Sequence, residues 1–349
     1  MILTINAGST SLKYALFSDH LKEITGGEFL GAQLDKGLFK EMMERLHHSE
    51  PITKIVHRVV HGGPKNKDPL IITPSLLNKL RKYNHLAPLH NPFNLVGIEL
   101  AQTFFPSATH YAVFDTGFFK NLPEKTRLYP LPYEFALKHG IERYGFHGIS
   151  HQYALYKAGE KLRDKSPNLI SLHLGGGCSI SAIQKGKPID TSMGFTPLEG
   201  LMMWARAGDI DPGILMINPD FDAQNPKKTL TSTEKNKKWE HILNYESGLK
   251  GVSGCKDYLD LIKKYRLGNK KARLAMDMFV YRIQKYIGAY YAALQGKVDA
   301  IVFTGKIGAG EAITRKCILR HLPFLGRAKR IILRADEEWM MAKSIQHTE

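Results

Sequence analysis

The sequence "INAGSTSLKYALF" (residues 5–17) interrupts an apolar run with small polar residues and then resumes it. β-favouring residues precede the interruption, and aromatic and aliphatic side chains follow it, so the pattern predicts a β-hairpin. The tip offers backbone amides, hydroxyls and the amide of Asn6, with Lys13 just behind, and such groups suit a phosphate. The stretch lacks the G-x-x-x-x-G-K-[ST] pattern of a Walker A loop. Turns of this composition are also common in hairpins that bind nothing.

A second hairpin of the same kind is predicted in "LISLHLGGGCSISAIQKGKPIDTS", which begins at Leu169. When the first stretch is aligned with the second, Gly8 aligns with Gly176 and Ser11 aligns with Ser179. A third glycine-rich junction, "VDAIVFTGKIGAG", runs from a buried-type strand toward a helix, an arrangement that exposes helix amides to an anion. Repeated hairpins among alternating strands and helices predict an α/β protein with a nucleotide or phosphate cleft between two similar halves.

The length of 349 residues also favours two domains, because a single hydrophobic core usually stops growing at a smaller size. We place an N-terminal domain at 1–145, with the tail 335–349 packing back on it, and a C-terminal domain at 146–334. No apolar run is long enough for a membrane helix and no signal-peptide pattern opens the chain, so we expect a cytoplasmic protein without a membrane partner. The three widely spaced cysteines are expected to be reduced thiols.

The net charge of +16 calls for anionic ligands, nucleic acid or an acidic membrane surface. One lysine cluster, at 227–238, lies in a polar stretch and predicts a solvated loop. A second basic run, at 315–334, interleaves cations with apolar residues and predicts a surface helix and strand with a basic outer face. No zinc finger, RNP signature or basic zipper is present, so we expect no nucleic-acid partner.

Several short polar stretches carry candidate catalytic side chains. Each has an ordinary structural explanation when taken alone, since a single arginine is usually solvated and an aspartate before glycine or proline often only shapes a turn. His147 and His151 lack an H-E-x-x-H motif or a cysteine set, so a zinc site is a poor interpretation. A helix is predicted to follow, from a capping Ser150 to about Leu162. The stretches are "HRVVHGG" from His57, "LAPLHNP" from Leu86, "VFDTGFF" from Val113, "YGFHGISH" from Tyr144 and "TPLEGLMMWARAGDIDPG" from Thr196.

In this order, "NAGSTSLK", "HRVVHGG", "LAPLHNP", "FDTGFF", "RYGFHGISH" and "GDIDPG" closely resemble the acetate kinase family. The match extends in patches over nearly the whole chain, including "FVYRIQKYIGAYYAAL" and "DEEWMMA". The resemblance implies two actin-like, ribonuclease-H-like domains with mixed sheets flanked by helices, as in the sugar-kinase-like ATPases. It also implies reversible, Mg²⁺- or Mn²⁺-dependent, in-line transfer of the γ-phosphoryl group of ATP to acetate, giving acetyl phosphate and ADP.

By this resemblance Arg58 and Arg206 hold carboxylate or phosphoryl oxygens, and His147 donates a hydrogen bond to the transferring group. Asp115 would orient the arginines or the attacking carboxylate. The planar guanidinium fork suits these roles, because an anionic acceptor must approach a polyanion. The family positions for substrate binding, including a small apolar cup for the methyl group, are Arg58, Val60, Leu89, His90, Phe146 and Pro197. Such a cup separates acetate from propionate only weakly.

The resemblance also implies a nucleotide side, a metal site and a homodimer. Asn6 and Glu337 would approach Mg²⁺, for which oxygen ligands are suited. The long tyrosine-rich helix from Lys271 is a candidate dimer contact, and it is equally explained as a core helix. The residues assigned to phosphate and nucleotide binding are Ser9, Ser11, Lys13, His173, Gly175, Gly176, Gly177, Asp257, Gly305, Lys306, Ile307 and Gly308.

The chain departs from the family pattern mainly on the nucleotide side. The usual "GGIGEN" reads Gly305–Gly310 "GKIGAG", so Lys306 stands where the nucleotide should approach the backbone. Gly176 stands where members of the family usually have asparagine, and Phe119 stands where histidine is common in the family. One interpretation is an ordinary ATP enzyme in which Lys306 points outward or pairs with a phosphate. The other is a narrowed adenosine pocket, with pyrophosphate or another nucleotide as the donor. Propionate or butyrate kinase activity and a non-catalytic phosphate- or nucleic-acid-binding relative are further alternatives.

Overall fold

The computed structural model describes residues 1–8, 11–31, 34–46, 50–88, 90–220 and 230–346. The strands of the described chain are β1 (Ile2–Ala7), β2 (Ser11–Phe17), β3 (Glu23–Leu30), β4 (Lys54–Val59), β5 (Leu70–Ile71), β6 (Thr109–Phe114), β7 (Leu169–Leu174), β8 (Cys178–Gln184), β9 (Lys187–Thr191), β10 (Ala300–Thr304) and β11 (Lys329–Ile332). The α-helices are α1 (Lys36–Arg45), α2 (Pro74–Arg81), α3 (Asn91–Phe104), α4 (Glu124–Arg127), α5 (Tyr133–His139), α6 (Gly148–Leu162), α7 (Ser232–His241), α8 (Gly248–Ser253), α9 (Tyr258–Arg266), α10 (Lys270–Ala293), α11 (Gly305–Gly310), α12 (Ala312–Leu319) and α13 (Glu337–Ser344).

The chain divides into two compact units. Unit 1 comprises Met1–Lys165, Lys187–Ile189 and Ala335–Glu349, and unit 2 comprises Ser166–Gly186 and Asp190–Arg334. The boundary near residue 165 differs from the sequence-based one at 145, because α6 packs against α13 in unit 1. The assignment of these units as separate domains stays a prediction.

Unit 1 is built on a mixed sheet in the order β3-β2-β1-β4-β6-β5. The opening hairpin forms as predicted, since β1 and β2 pair antiparallel with Ile2 opposite Phe17 and Ala7 opposite Leu12. Alternation along both strands sends Leu3 and Leu12 into a core that α1 covers. On the other side of β1, the strands β4 and β6 continue the sheet in parallel, so their carboxyl ends lie along one edge. Helix α13 packs against β1, β2, β4 and α6.

Unit 2 contains a second mixed sheet in the order β11-β10-β7-β8-β9. The second predicted hairpin is β7 and β8, paired antiparallel with Leu174 opposite Cys178. On the other side of β7, β10 pairs with it in parallel, and β11 pairs in parallel with β10. Two mixed sheets flanked by helices confirm the predicted α/β class.

Two local predictions are wrong. Lys235, Lys237 and Lys238 lie in α7 rather than in a loop, because Thr231 and Glu234 form a reciprocal capping box at its start; residues 227 and 228 lie outside the described residues. Helix α6 begins at Gly148, and Ser150 is inside it. None of the helices in the described ranges combines the length and the apolar composition of a membrane span.

Candidate active site

The centre of the candidate site in unit 1 is an ion pair between Arg58 on β4 and Asp115, which follows β6. Arg58 Nη2 lies 2.6 Å from Asp115 Oδ2, and Nε lies 3.1 Å from Oδ1. Both groups stand where parallel strands end, so the sheet edge positions them side by side. The Asp115 side chain is only 2 % exposed and that of Arg58 18 %. Two hydrogen bonds to one carboxylate fix the orientation of the guanidinium plane.

The same guanidinium also meets the two residues predicted for the metal. Arg58 Nη1 donates to Asn6 Oδ1 at 3.4 Å and lies 3.6 Å from Glu337 Oε2. Burial by itself lowers the pKa of Arg58, but the charges of Asp115 and Glu337 outweigh burial and raise it. The arginine is therefore a permanent cation at the carboxyl ends of β1 and β4.

Lys13 on β2 pairs with Glu338, which is adjacent to Glu337 on α13. Lys13 Nζ lies 2.5 Å from Glu338 Oε2, and the glutamate side chain is only 4 % exposed. Burial lowers the pKa of Lys13, while the nearby Glu338 carboxylate more than offsets this and raises it. Glu338 Oε1 is buried and has no hydrogen-bond partner among the described residues. Helix α13 thus places one carboxylate at the arginine and the next at the lysine.

His147 immediately precedes α6, and its backbone is tied to Asp115. The following Gly148 N donates to the Asp115 carbonyl oxygen at 2.9 Å, and a Cβ at Gly148 would lie 2.0 Å from that oxygen. Only glycine permits this approach. His147 itself adopts φ +57°, which is uncommon for a residue with a side chain. The close contact explains why α6 starts here rather than at the predicted Ser150.

Val60 and Phe146, two members of the predicted apolar cup, are buried, with 5 % and 1 % exposure. His61 packs against Phe146 with ring centroids 5.6 Å apart. His90 lies at the start of α3 and is half-buried. Leu89 and the phosphate-tip residue Ser9 lie outside the described residues. The part of the cup that unit 1 contributes is therefore an apolar surface beside the β4 end.

Two asparagines on α3 hold this wall in place, and the sequence analysis missed both. Asn91 Oδ1 accepts from His61 N at 2.9 Å, while its Nδ2 donates to the His61 carbonyl. Asn94 Oδ1 accepts from Val60 N, and its Nδ2 donates to the Ala7 carbonyl at the end of β1. Both are buried polar side chains with satisfied hydrogen bonds, as expected for fixed structural links. Two asparagines three positions apart at the start of a mostly apolar helix were the signal in the sequence that could have revealed them.

The tip of the first hairpin, which is predicted to bind phosphate, begins just after β1. Gly8 N donates to the Ser11 carbonyl at 2.7 Å, which closes the turn into β2. Ser11 is half-buried at the first position of that strand. Its neighbour Lys13 points the same way along the strand, because side chains two positions apart share a face.

Unit 2 brings the predicted glycine-rich segments together. The tip Gly175–Gly177 follows β7, and α11 follows its parallel neighbour β10, with His173 opposite Thr304. Gly305 has φ +79°, and a Cβ there would lie 2.4 Å from the Leu174 carbonyl oxygen. Backbone amides of two turns consequently lie at one edge of this sheet, the arrangement that suits phosphate oxygens.

Arg206 belongs to unit 2 and lies in a segment that is hydrogen-bonded to the Gly175–Gly177 tip. Trp204 N donates to the Gly176 carbonyl at 3.2 Å, and Met203 N donates to the Arg206 carbonyl at 3.1 Å. Burial lowers the pKa of Arg206 and raises that of the neighbouring Cys178 thiol to about 12. The guanidinium is thus partly desolvated, which strengthens its interaction with an anion.

The remaining predicted residues of unit 2 have varied surroundings. The Asp257 carboxylate accepts from Asp260 N at 2.8 Å and caps α9, so a structural role accounts for it. Lys306 is exposed on the first turn of α11, while Ile307 and Gly308 are buried. Pro197 is half-buried. Their roles in substrate and nucleotide binding stay predictions.

The oxygen atoms of Asn6 and Glu337 fit a hard divalent cation. Both lie within 3.6 Å of the same nitrogen of Arg58, so they are close to each other. No group of three His, Cys, Asp or Glu side chains suited to a metal occurs among the described residues. Mg²⁺ is commonly held by one or two protein side chains together with substrate phosphates and water, so the oxygen donors of this pair are chemically compatible with a nucleotide-bound ion.

Comparison with known proteins agrees with this geometry. A family profile described as "Acetokinase family" matches residues 34–337. An acetate kinase of Carboxydothermus hydrogenoformans is 40 % identical over 360 residues, covering 93 % of this chain and 87 % of that protein. An acetate kinase of Protochlamydia amoebophila is 38 % identical over 402 residues, covering 98 % of each chain.

Solved structures give the same result. A propionate kinase of Francisella tularensis has a TM-score of 0.87 at 34 % identity, and Porphyromonas gingivalis acetate kinase has 0.84 at 33 %, each covering 98 % of both chains. A ROK family protein of Streptococcus pneumoniae, 12 % identical with a TM-score of 0.51, shares the fold alone. These likenesses confirm the predicted actin-like, sugar-kinase-like fold. The chain belongs to the acetokinase family.

Proposed function

We propose that the protein is an acetate kinase (EC 2.7.2.1), which transfers the γ-phosphoryl group of ATP to a carboxylate oxygen of acetate. The observation that carries the proposal is the Arg58 guanidinium, held by Asp115 at the carboxyl ends of parallel strands and beside Asn6 and Glu337. A fixed cation that is desolvated and next to a buried apolar wall suits a small carboxylate with a methyl group.

In the proposed reaction one carboxylate oxygen of acetate attacks the γ-phosphorus of ATP. The bond from phosphorus to the β,γ-bridging oxygen breaks, and ADP leaves with that electron pair. Arg58 neutralises the acceptor carboxylate and keeps its orientation through Asp115. His147, fixed by the backbone link of Gly148 to Asp115, donates a hydrogen bond to the transferring group. Val60, Leu89, Phe146 and Pro197 are proposed to contact the methyl group, with His90 beside them.

The nucleotide is proposed to bind through the glycine-rich turns and Lys13. Ser9, Ser11, His173, Gly175–Gly177 and Gly305–Gly308 would line its phosphates, and Arg206 would contact the transferring group. Mg²⁺, or Mn²⁺, is proposed at Asn6 and Glu337; when bound, it neutralises phosphate charge. We further propose a cytoplasmic homodimer, for which α10 is the candidate contact because it exposes Leu274 and Tyr281.

The test is a trapping assay with hydroxylamine. Purified protein with Mg²⁺, ATP and acetate should form acetyl hydroxamate, because hydroxylamine captures the acyl phosphate. Propionate and butyrate are compared with acetate as acceptors, and pyrophosphate is compared with ATP as the phosphoryl donor. Faster turnover with propionate would move the assignment to the related propionate kinases. Absence of hydroxamate with every acceptor and both donors would contradict a carboxylate kinase.

A further inference from the structure

A basic groove lies in unit 2 between α12 and β11, and none of its lining residues is assigned to catalysis or to substrate binding. Four cations line it, Arg315, Lys316, Arg320 and Arg330, above an apolar floor, and its volume is about 540 Å³. Among the described residues, no acidic side chain lines it. The volume falls in the range of sites that enclose a ligand or a short peptide segment.

The charge around the basic groove is not balanced within the described chain. The stretch 315–334 contains seven Lys and Arg residues and no Asp or Glu. None of the seven forms an ion pair with a carboxylate in the part of the chain that the structure describes. Arg315 is also engaged internally, since its Nη1 donates to the carbonyls of Gly308 and Ala309 at 2.8 and 2.9 Å. Cations crowded without acidic partners favour an anionic ligand.

The backbone beside the basic groove is a sheet edge. Strand β11 is the outermost strand of its sheet and pairs only with β10 among the described residues. Arg330 and Ile332 lie two positions apart and both line the groove, so their side chains share one face. Ile332 is 46 % exposed. On α12, Leu319 follows Arg315 by four positions and Lys316 by three, so it is a helical neighbour of both, and all three line the groove.

We propose that the basic groove binds an acidic, extended peptide segment of a partner protein, which pairs with β11 as an added strand. Such a segment meets all three features: its backbone completes the free edge, and alternate side chains face the groove. There acidic residues meet the four cations, while an apolar residue covers Ile332. The basic edge repels a second copy of itself, so it selects a partner of opposite charge. A nucleic acid would use the cations and leave the edge amides and Ile332 unmatched.

The experiment uses the full-length protein and a fluorescein-labelled peptide in which threonine alternates with glutamate and one glutamate is replaced by valine, so that the acidic and apolar side chains share one face. Binding is followed by fluorescence anisotropy at about 150 mM salt, where exposed charges are substantially screened. We expect saturable binding to the wild type. The doubly reversed variant K316E/R330E should bind at least about tenfold more weakly, since each lost charge pair weakens the complex. The control K237E/K271E changes the net charge equally at exposed lysines elsewhere and should bind like the wild type.

A second peptide, N-methylated on alternate residues, keeps the charge but cannot pair fully with a strand edge. It should bind at least about tenfold more weakly than the parent peptide, because it loses main-chain hydrogen bonds. Equal binding of the two peptides, equal losses in the two variants, or no saturation of the wild type would each overturn the proposal. Tighter binding of a single-stranded RNA of similar length, lost in K316E/R330E, would overturn it in favour of nucleic acid. Acetyl hydroxamate formation by K316E/R330E should equal that of the wild type, which shows that the variant is folded.

Discussion

Arg58 lies on β4, and Asp115 follows the neighbouring parallel strand β6. Their side chains form a bidentate ion pair, with Nη2 2.6 Å from Oδ2 and Nε 3.1 Å from Oδ1. This leaves Nη1 directed toward Asn6 and Glu337. One carboxylate therefore decides the direction in which the arginine presents its remaining donor. We therefore predict that the contribution of Arg58 to catalysis depends on Asp115 even where Asp115 does not touch a substrate.

Replacing Asp115 by asparagine should lower kcat by about 10²-fold or more, the scale of a lost transition-state charge contact. The buried arginine also loses its main counter-charge, so the free energy of unfolding should fall by about 3 kcal/mol. Both quantities can be measured, by hydroxamate formation per folded molecule and by urea unfolding. The matched control is Asp68→Asn, which removes an exposed ion pair with Lys120 and should change neither by much. An unchanged kcat in Asp115→Asn would contradict the positioning role.

Arg206→Ala should also lower kcat by roughly 10²-fold or more. Arg206→Lys retains the charge without the fork and should recover only part of the rate. A structural arginine would behave differently, with reduced thermal stability and normal turnover per folded molecule. Initial rates and thermal unfolding of the two variants therefore distinguish a catalytic role from a structural one.

The donor specificity should not depend on Lys306, because its side chain is exposed on α11. Lys306→Gly should keep the preference of the wild type for ATP over pyrophosphate. The measurement is the ratio of kcat/KM for the two donors in each protein. A preference that shifts toward ATP in Lys306→Gly would show that the lysine narrows the nucleotide site.

Stability should fall as the pH drops below about 6.5, the ordinary pKa of histidine. Burial lowers the pKa of His57 and His110 below this value and that of His61 to about 3. In this window the unfolded chain binds protons that the folded chain does not, so protonation favours unfolding. A histidine that is neutral in the folded chain and fully protonated in the unfolded chain contributes a slope of about 1.4 kcal/mol per pH unit, which is the upper limit for each of the three.

Urea unfolding between about pH 6.5 and pH 5 measures that slope. His61→Gln removes one of the three groups and should make the dependence shallower by the share of one histidine. The exposed His139 offers a control, since His139→Gln should leave the slope unchanged. Identical slopes in all three proteins would contradict the assignment to buried histidines.

Cys178 should resist thiol reagents in the folded protein at neutral pH. It is fully buried, and burial raises its pKa to about 12, so almost no thiolate forms. Cys255 is also buried, whereas Cys317 is partly accessible and should react first. Counting labelled cysteines by mass spectrometry, before and after unfolding, checks this order. Early labelling of Cys178 would indicate that the glycine tip opens readily.

The sequence was sufficient for the parts of the fold that have a local cause. Apolar alternation around Gly8 and Gly176 predicted both hairpins, because strand period and turn residues are local properties. Helix α7 could also have been predicted, since Thr231 and Glu234 have the spacing of a capping box. Its high lysine content favoured a loop and concealed that signal.

The supporting contacts of the site could not be predicted from local patterns. Asn91 and Asn94 act on backbone groups about thirty positions or more away, so only the folded chain shows their partners. The start of α6 is set in the same way by the carbonyl of Asp115, which overrides the capping preference of Ser150. The roles of Arg58, Asp115 and their neighbours came from family resemblance, and they remain predictions for mutagenesis.

Helix α13 carries Glu337 and Glu338 into unit 1, although the whole of unit 2 precedes it in the chain. During translation the ribosome releases β1, β2 and β4 long before the helix that covers them exists. Arg58 and Lys13 therefore lack the neighbouring carboxylates of Glu337 and Glu338 until synthesis has passed residue 338. A nascent chain can form the opening hairpin early, yet its candidate site gains both glutamates only once α13 has left the ribosome.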